Sequence, residues 1–244
     1  MQPTDNKTQA THLYMLNYGG TEPMQENKNQ VYCKKENTVQ LGEHLRTVFG
    51  ISEPIFLEDI EFDGYSRERI SEELHKLINK GELKLYDEGI YYFSEKTPWG
   101  TESKPNFEKI ISRKFISNNE AIYGYISGLP LWNGSGLMTQ VPPFIEVTSN
   151  YGPPTRQKVY IGGKSVIACK GRTVITKDNV FELRFLELMN IVDISKLDEY
   201  ERTALSKFIQ DYPVKRDIVM KYAALFPSKV EQNMKESEII YELA

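Results

Sequence analysis

The side chains able to do chemistry are few and scattered. The three histidines, His12, His44 and His75, lie far apart, and none has metal-ligand spacing to another donor. Cys33 and Cys169 form neither a CxxC pair nor a disulfide framework, so they read as two free thiols in a reducing cytoplasm. No GxSxG, Walker loop, GxGxxG or HExxH is present. The glycine-rich Asn133–Gly136 lacks the lysine and following Ser/Thr of a phosphate cradle and reads as a turn. Asp and Glu are abundant, but without spacing that marks an acid–base pair. The expectation is a protein that is not an enzyme and needs no cofactor or metal. An enzyme acting on nucleotides through the basic middle of the chain stays open only because scattered residues can converge in a fold.

The stretch that could present side chains to a nucleic acid is SRERISEELHKLINKGELKLYDEGIYYF, from Ser66 to Phe93. Ser66 suits a helix N-cap. Ile70, Leu74, Leu77 and Ile78 recur on one helical face, and Gly81 suits the positive φ that ends a helix. ELKLY and IYYF flank Asp87-Glu88-Gly89, the pattern of a hairpin. With the apolar face inward, Glu68, Glu72, His75 and Asn79 crown the helix and Arg69, Lys76 and Lys80 line its flank. Ser66, Arg67, Arg69, His75, Lys76, Lys80 and Lys84 are therefore the candidate DNA contacts, since phosphate binding draws on lysine and arginine. Glutamates at the crown fit equally a solvated face with Arg69–Glu73 and Glu72–Lys76 pairs, or a surface that holds a protein. Tyr91, Tyr92 and Phe93 read as wing positions packed on the helix.

Elements that would position this helix precede it. A helix is expected over Val39–Phe49, with Leu41, Leu45, Val48 and Phe49 on one face, then a short element, IFLEDIEF. Helix, shorter helix, longer helix, hairpin is the order of a winged helix-turn-helix. The expected fold is α+β: an arm at residues 1–37, a winged helix-turn-helix at 38–98, a small mixed α/β domain at 99–190 with an antiparallel sheet, and C-terminal helices over 191–244. PWGTESKP, residues 98–105, reads as a linker, followed by a helix over Asn106–Lys114. Strands are expected in FIEVTS, KVYIG and KSVIAC, the last two turned by Gly162-Gly163, and helices over Asp178–Ile191 and Asp198–Tyr212. Pro213 and Pro227 suit the first turns of two more helices.

Charge divides along the chain. Residues 38–98 carry 13 acidic and 7 basic side chains, and residues 99–190 carry 7 acidic and 11 basic, within a chain of net charge −4. In the basic middle, Arg156, Lys158, Lys164, Lys170 and Arg172 either line a surface for nucleic acid or an acidic partner, or cover the solvent face of a sheet. In Thr139-Gln140-Val141-Pro142, a buried glutamine would bond the neighbouring backbone at a strand entry or contact a ligand. No apolar run reaches the ~18 residues of a membrane span, and the polar start lacks a signal-peptide pattern, so a cytoplasmic protein with no membrane partner is expected.

Gly136–Pro142 (GLMTQVP), Thr148-Ser149-Asn150, the Ile161-Gly162-Gly163 turn and Asn179 together resemble the regulators related to AbiE-type abortive-infection antitoxins of type IV toxin–antitoxin systems. GIYYFSEKTPWG is similar to that family's wing and linker, and the resemblance runs over about residues 39–226. Met138 stands where the family pattern has threonine. The resemblance implies a winged helix that binds operator DNA and represses its own operon. It also implies an α/β part that counters a nucleotidyltransferase-like toxin, with or without contact, and no catalytic residue. Thr139, Gln140, Arg156, Lys158, Lys164 and Arg172 are the candidate partner surface. A homodimer is a further expectation, because operator-binding helix-turn-helix proteins often pair.

Overall fold

The structure is a computed structural model that describes residues 41–212, 214–241 and 243. The expected arm, residues Val39 and Gln40 of the first helix, His12, Cys33 and Pro213 lie outside the described residues. Among the described residues the fold is mixed α+β, with two sheets. It divides into two compact units between Ile111 and Ser112.

In the first unit, α1 (Leu41–Phe49) leads to β1 (Ile55–Phe56) and a 3-10 turn, Leu57–Asp59, which stand in place of the expected shorter helix. Helix α2 (Arg67–Asn79) follows, then β2 (Lys84–Asp87) and β3 (Ile90–Tyr92). The strands form an antiparallel sheet in the order β1-β3-β2. Leu41 and Leu45 from α1 join Ile70, Leu74 and Leu77 from α2 in one core with Ile55, Leu83, Tyr91 and Phe93. Val48, expected on the inner face of α1, is 51% exposed, whereas Phe49 of the same turn packs against the core.

Both ends of α2 are closed by local chemistry. Ser66 accepts a hydrogen bond from the Arg69 amide at 3.3 Å. At the other end Gly81 (φ 75°) lets its own amide reach the Ile78 carbonyl and the Glu82 amide reach that of Leu77. Those two bonds make a Schellman motif, which needs the left-handed residue that glycine supplies.

The expected linker at 98–105 is a second hairpin. Lys96 bridges Glu102, and the Thr97 amide reaches the Thr101 carbonyl at 2.8 Å. Its base is tied down by Ser103, which bonds Ser52, Ser94 and the Glu95 amide. The turn-forming composition was legible; the pairing depends on Ser52, which is remote in sequence. Helix α3 (Phe107–Ile111) closes the unit.

The second unit starts with a π-helical turn, Ser112–Ile116, in place of the expected helix end at Lys114. Strand β4 (Gly124–Ile126), α4 (Gly128–Gly134), β5 (Glu146–Ser149), β6 (Gln157–Ile161) and β7 (Lys164–Lys170) follow. The sheet order is β4-β5-β7-β6. It is mixed, not antiparallel as expected, because β7 pairs parallel with β5 while its other neighbour β6 is antiparallel. The loop after β5 together with β6 supplies the long crossover that a parallel pair requires. Gly124 admits the Phe115 carbonyl, which would lie 2.0 Å from any Cβ there.

Helix α5 (Val180–Ile191) is the buried centre of this unit, and α6 (Glu199–Asp211), α7 (Arg216–Ala223) and α8 (Ser228–Glu236) complete it. Asp198 and Glu201 close the start of α6 with a reciprocal capping box. Pro227 is the N-cap residue of α8, one position earlier than expected. Among the described residues no helix is long and apolar enough to cross a membrane.

Candidate nucleic-acid interface

Helix α2 buries Ile70, Leu74 and Leu77 and exposes Glu68, Arg69, Glu72, His75, Lys76, Asn79 and Lys80. The helix is thus presented as the apolar periodicity required, but its cations have different duties. Arg67 donates to the carbonyls of Leu57 at 2.6 Å, Glu58 at 3.2 Å and Ile60 at 3.5 Å. It ties α2 to the 3-10 turn and is a structural residue, contrary to its expected place among the DNA contacts. Ser66 is occupied by its capping bond. The Arg69 guanidinium lies 3.9 Å from the centroid of the Tyr65 ring. Lys76 pairs with Glu73 at 2.9 Å, an i,i+3 pair in place of either expected i,i+4 pair. That contact raises the Lys76 pKa and lowers that of Glu73. Lys84 is paired with Glu102 of the second hairpin. His75 and Lys80 stay exposed on the outer face.

The two ends of the first sheet differ in charge. At one end the β2–β3 turn, Glu88-Gly89, is fastened by the Leu57 amide donating to the Gly89 carbonyl at 2.9 Å. Asp87, Glu88, Glu58 and Asp59 gather there. At the other end Lys80 closes α2, Lys84 opens β2, and Lys96 and Lys104 lie on the second hairpin, with Glu82, Glu95 and Glu102 among them. Tyr91, Tyr92 and Phe93 are all buried, so none is placed to stack on a base.

The expected partner residues of the second unit have different duties. Arg156 makes a two-pronged bond to the buried Glu146, Nε to Oε1 at 2.7 Å and Nη2 to Oε2 at 2.8 Å. Arg172 donates to the Leu225 carbonyl at 3.3 Å and lies over the Phe226 ring. These two arginines serve the fold. Lys158 and Lys164 are exposed on the β6–β7 hairpin.

Thr139 and Gln140 are exposed and line a cleft of about 430 Å³ with Trp132, Leu137, Met138 and Tyr200 among its walls. The expectation of a buried glutamine side chain is corrected. The backbone at this point is held by Asn133, whose Nδ2 donates to the carbonyls of Met138 at 2.9 Å and Gln140 at 3.2 Å. Asn150 and Asn179 likewise clamp the 174–176 loop, Asn150 exchanging two 2.8 Å bonds with the Ile175 backbone. Asparagine carries a donor and an acceptor on one short arm, which suits it to replace a strand neighbour.

Sequence reasoning missed two features. One is the polar interior of the second unit. Burial pushes the carboxyls of Glu182 and Glu187 up, and lowers the pKa of Arg184, which lies over the rings of Phe208 and Tyr212. The charges within α5's hydrophobic run were its only signal. The other is Trp99, at the tip of the second hairpin and 87% exposed; its place between Pro98 and Gly100 was the available clue. Among the described residues no group of three or more His, Cys, Asp or Glu could hold a metal, and Cys169 is a free thiol whose pKa burial raises. A scan against protein-family models finds no match to this chain, and a search of curated proteins finds none either.

Proposed function

We propose that the chain is an antitoxin-type transcriptional regulator. Residues 41–93 act as a winged helix on its own operator DNA, and the second unit counters a nucleotidyltransferase-like toxin. The observation that carries the DNA half is α2: capped at both ends, buried on its Ile70/Leu74/Leu77 face and exposed on the other, beside a β2–β3 ribbon. A helix so presented is the element that enters a major groove. Arg69, His75 and Lys80 are the contacts assigned to it. The antitoxin half rests on the resemblance of Gly136–Pro142 and its companion motifs.

The test is an anisotropy titration of the full chain with DNA from upstream of its gene, across salt concentrations. Binding that weakens steeply with salt and drops further on Arg69→Ala with Lys80→Ala is the expected result. No binding at low salt overturns the reading.

A second reading has its own support: Arg67, Lys76 and Lys84 are already engaged within the protein, and Glu68 and Glu72 share the exposed face. On that reading α2 holds a protein partner. Co-purification with the neighbouring gene product, abolished by Glu72→Arg and indifferent to DNA, is its expected signature.

A further inference from the structure

We infer that Trp99, at the tip of the second hairpin, stacks on a nucleobase while Lys96 and Lys104 meet the flanking phosphates. This inference rests on the reading of α2 as a nucleic-acid helix and adds a second contact element to it.

Trp99 is the most exposed large apolar side chain among the described residues. It is not carried on a slack linker. Within the hairpin the Gly100 amide bonds the Thr97 carbonyl at 2.9 Å, and the Thr97 and Thr101 hydroxyls lie 2.8 Å apart. Gly100 turns the tip at φ 78°. The base is pinned by Ser52 to Ser103 at 2.5 Å, by Ser94 to the Ser103 carbonyl at 3.0 Å, and by the Lys84–Glu102 ion pair from β2. A large indole held out in water on a fastened ribbon loses little freedom when a flat partner covers it, which is what a stacking platform requires.

Charge decides the class of partner. The Glu88-Gly89 turn that a winged helix would lay against DNA has Asp87, Glu88, Glu58 and Asp59 around it against the single cation Arg67, and its net charge is acidic. The opposite end carries Lys80, Lys84, Lys96 and Lys104. Lys84 neutralises Glu102, whose carboxyl the lysines hold below its ordinary range. Glu82 and Glu95 remain, so the end is mildly cationic, and it is the end to which the C-terminal turn of α2 leads. An indole flanked by lysines fits the alternation of base face and phosphate.

The chain has two tryptophans, so fluorescence reads the site directly. In full-length protein carrying Trp132→Phe, Trp99 is the sole tryptophan, and excitation at the red edge selects it over the tyrosines. Iodide is expected to quench it freely in the absence of nucleic acid. Duplex DNA or a single strand of the same sequence is then expected to quench it and shield it from iodide, the two arms telling a base step from an unpaired base. Trp99→Ala in the natural background, where Trp132 is kept, is expected to weaken binding about tenfold, with Trp99→Phe recovering most of it. Salt-sensitive binding with Trp99 emission unmoved and Trp99→Ala at parental affinity overturns this inference and leaves the proposed function standing. Failure to bind either form of DNA overturns both. Quenching by the neighbouring gene product alone overturns it in favour of a protein contact.

Discussion

The two sheets treat charge in opposite ways. The buried polar and charged residues, including Ser127, Glu146, Asn179, Glu182 and Arg184, all belong to the second unit; in the first unit every charged side chain among the described residues keeps solvent contact. In the first unit a small antiparallel sheet shares one core with α1 and α2, and the side chains buried in it are aliphatic or aromatic. The second threads a parallel pair through its sheet, with the π-turn, α4 and α5 against it, and must place polar strand residues indoors. Charge in the first unit stays at the surface, where Arg69 and Lys80 are available for a partner while Arg67, Lys76 and Lys84 are engaged, whereas Glu146, Arg156, Glu182 and Arg184 of the second unit serve its interior.

Breaking the second unit takes the smallest change of side chain. Gly124→Ala sets a Cβ 2.0 Å from the Phe115 carbonyl oxygen and 2.7 Å from that of Thr148, both backbone atoms that cannot swing aside. The expected cost exceeds about 4 kcal/mol, seen as loss of the near-UV dichroism and of a cooperative melt. In the first unit Leu74→Ala, at a site 1% exposed, is expected to cost about 2–5 kcal/mol in a denaturant titration.

A finer cut separates two cations of the same helix. Arg67→Ala removes bonds to the Leu57 and Glu58 carbonyls and is expected to cost about 1 kcal/mol of stability while leaving the salt dependence of DNA binding alone. Lys80→Ala is expected to do the reverse: no change in melting, and a salt slope shallower by about 1. Equal effects of the two substitutions on binding would remove the distinction between structural and available charge.

The smallest effect sharpens the contrast through pH. Burial raises the folded-state pKa of Glu187 above the ordinary 4.5. A carboxyl raised on folding contributes its full stability below the unfolded value and loses it as pH rises through the folded one. Glu187→Gln should therefore raise the melting temperature at pH 8 and leave it unchanged at pH 4. A gain of equal size at both would show that the ionised carboxylate is not the cost. Glu182 is raised in the same direction, and its Oε1 accepts the Lys215 amide at 3.0 Å, a bond that glutamine would keep.

How much could be read from the chain varied with the range of the forces involved. The apolar spacing of Ile70, Leu74 and Leu77, the Ser66 cap and the Gly81 stop lie within one helix, and each stands where local chemistry put it. So do the Gly162-Gly163 turn, with both residues at positive φ, and the strands around it. The cation list was less legible. By periodicity Arg67 lies nearer the core side of the helix than Arg69, but only the 3-10 turn at Leu57–Asp59 makes it an anchor. Arg156 reads as a surface charge until Glu146, ten positions away, is seen beneath it.

Periodicity, caps and turn glycines, each acting over four residues or fewer, were enough to determine the longer helices α2, α5 and α6, the β2–β3 and β6–β7 hairpins and the inward face of α2, but not α4. The sheet order, the parallel pairing of β5 with β7, the hairpin that displays Trp99 and the partner of each arginine were decided only in the tertiary structure. The physical reason is that hydrogen bonds and desolvation act between groups brought together by folding, whatever their separation along the chain.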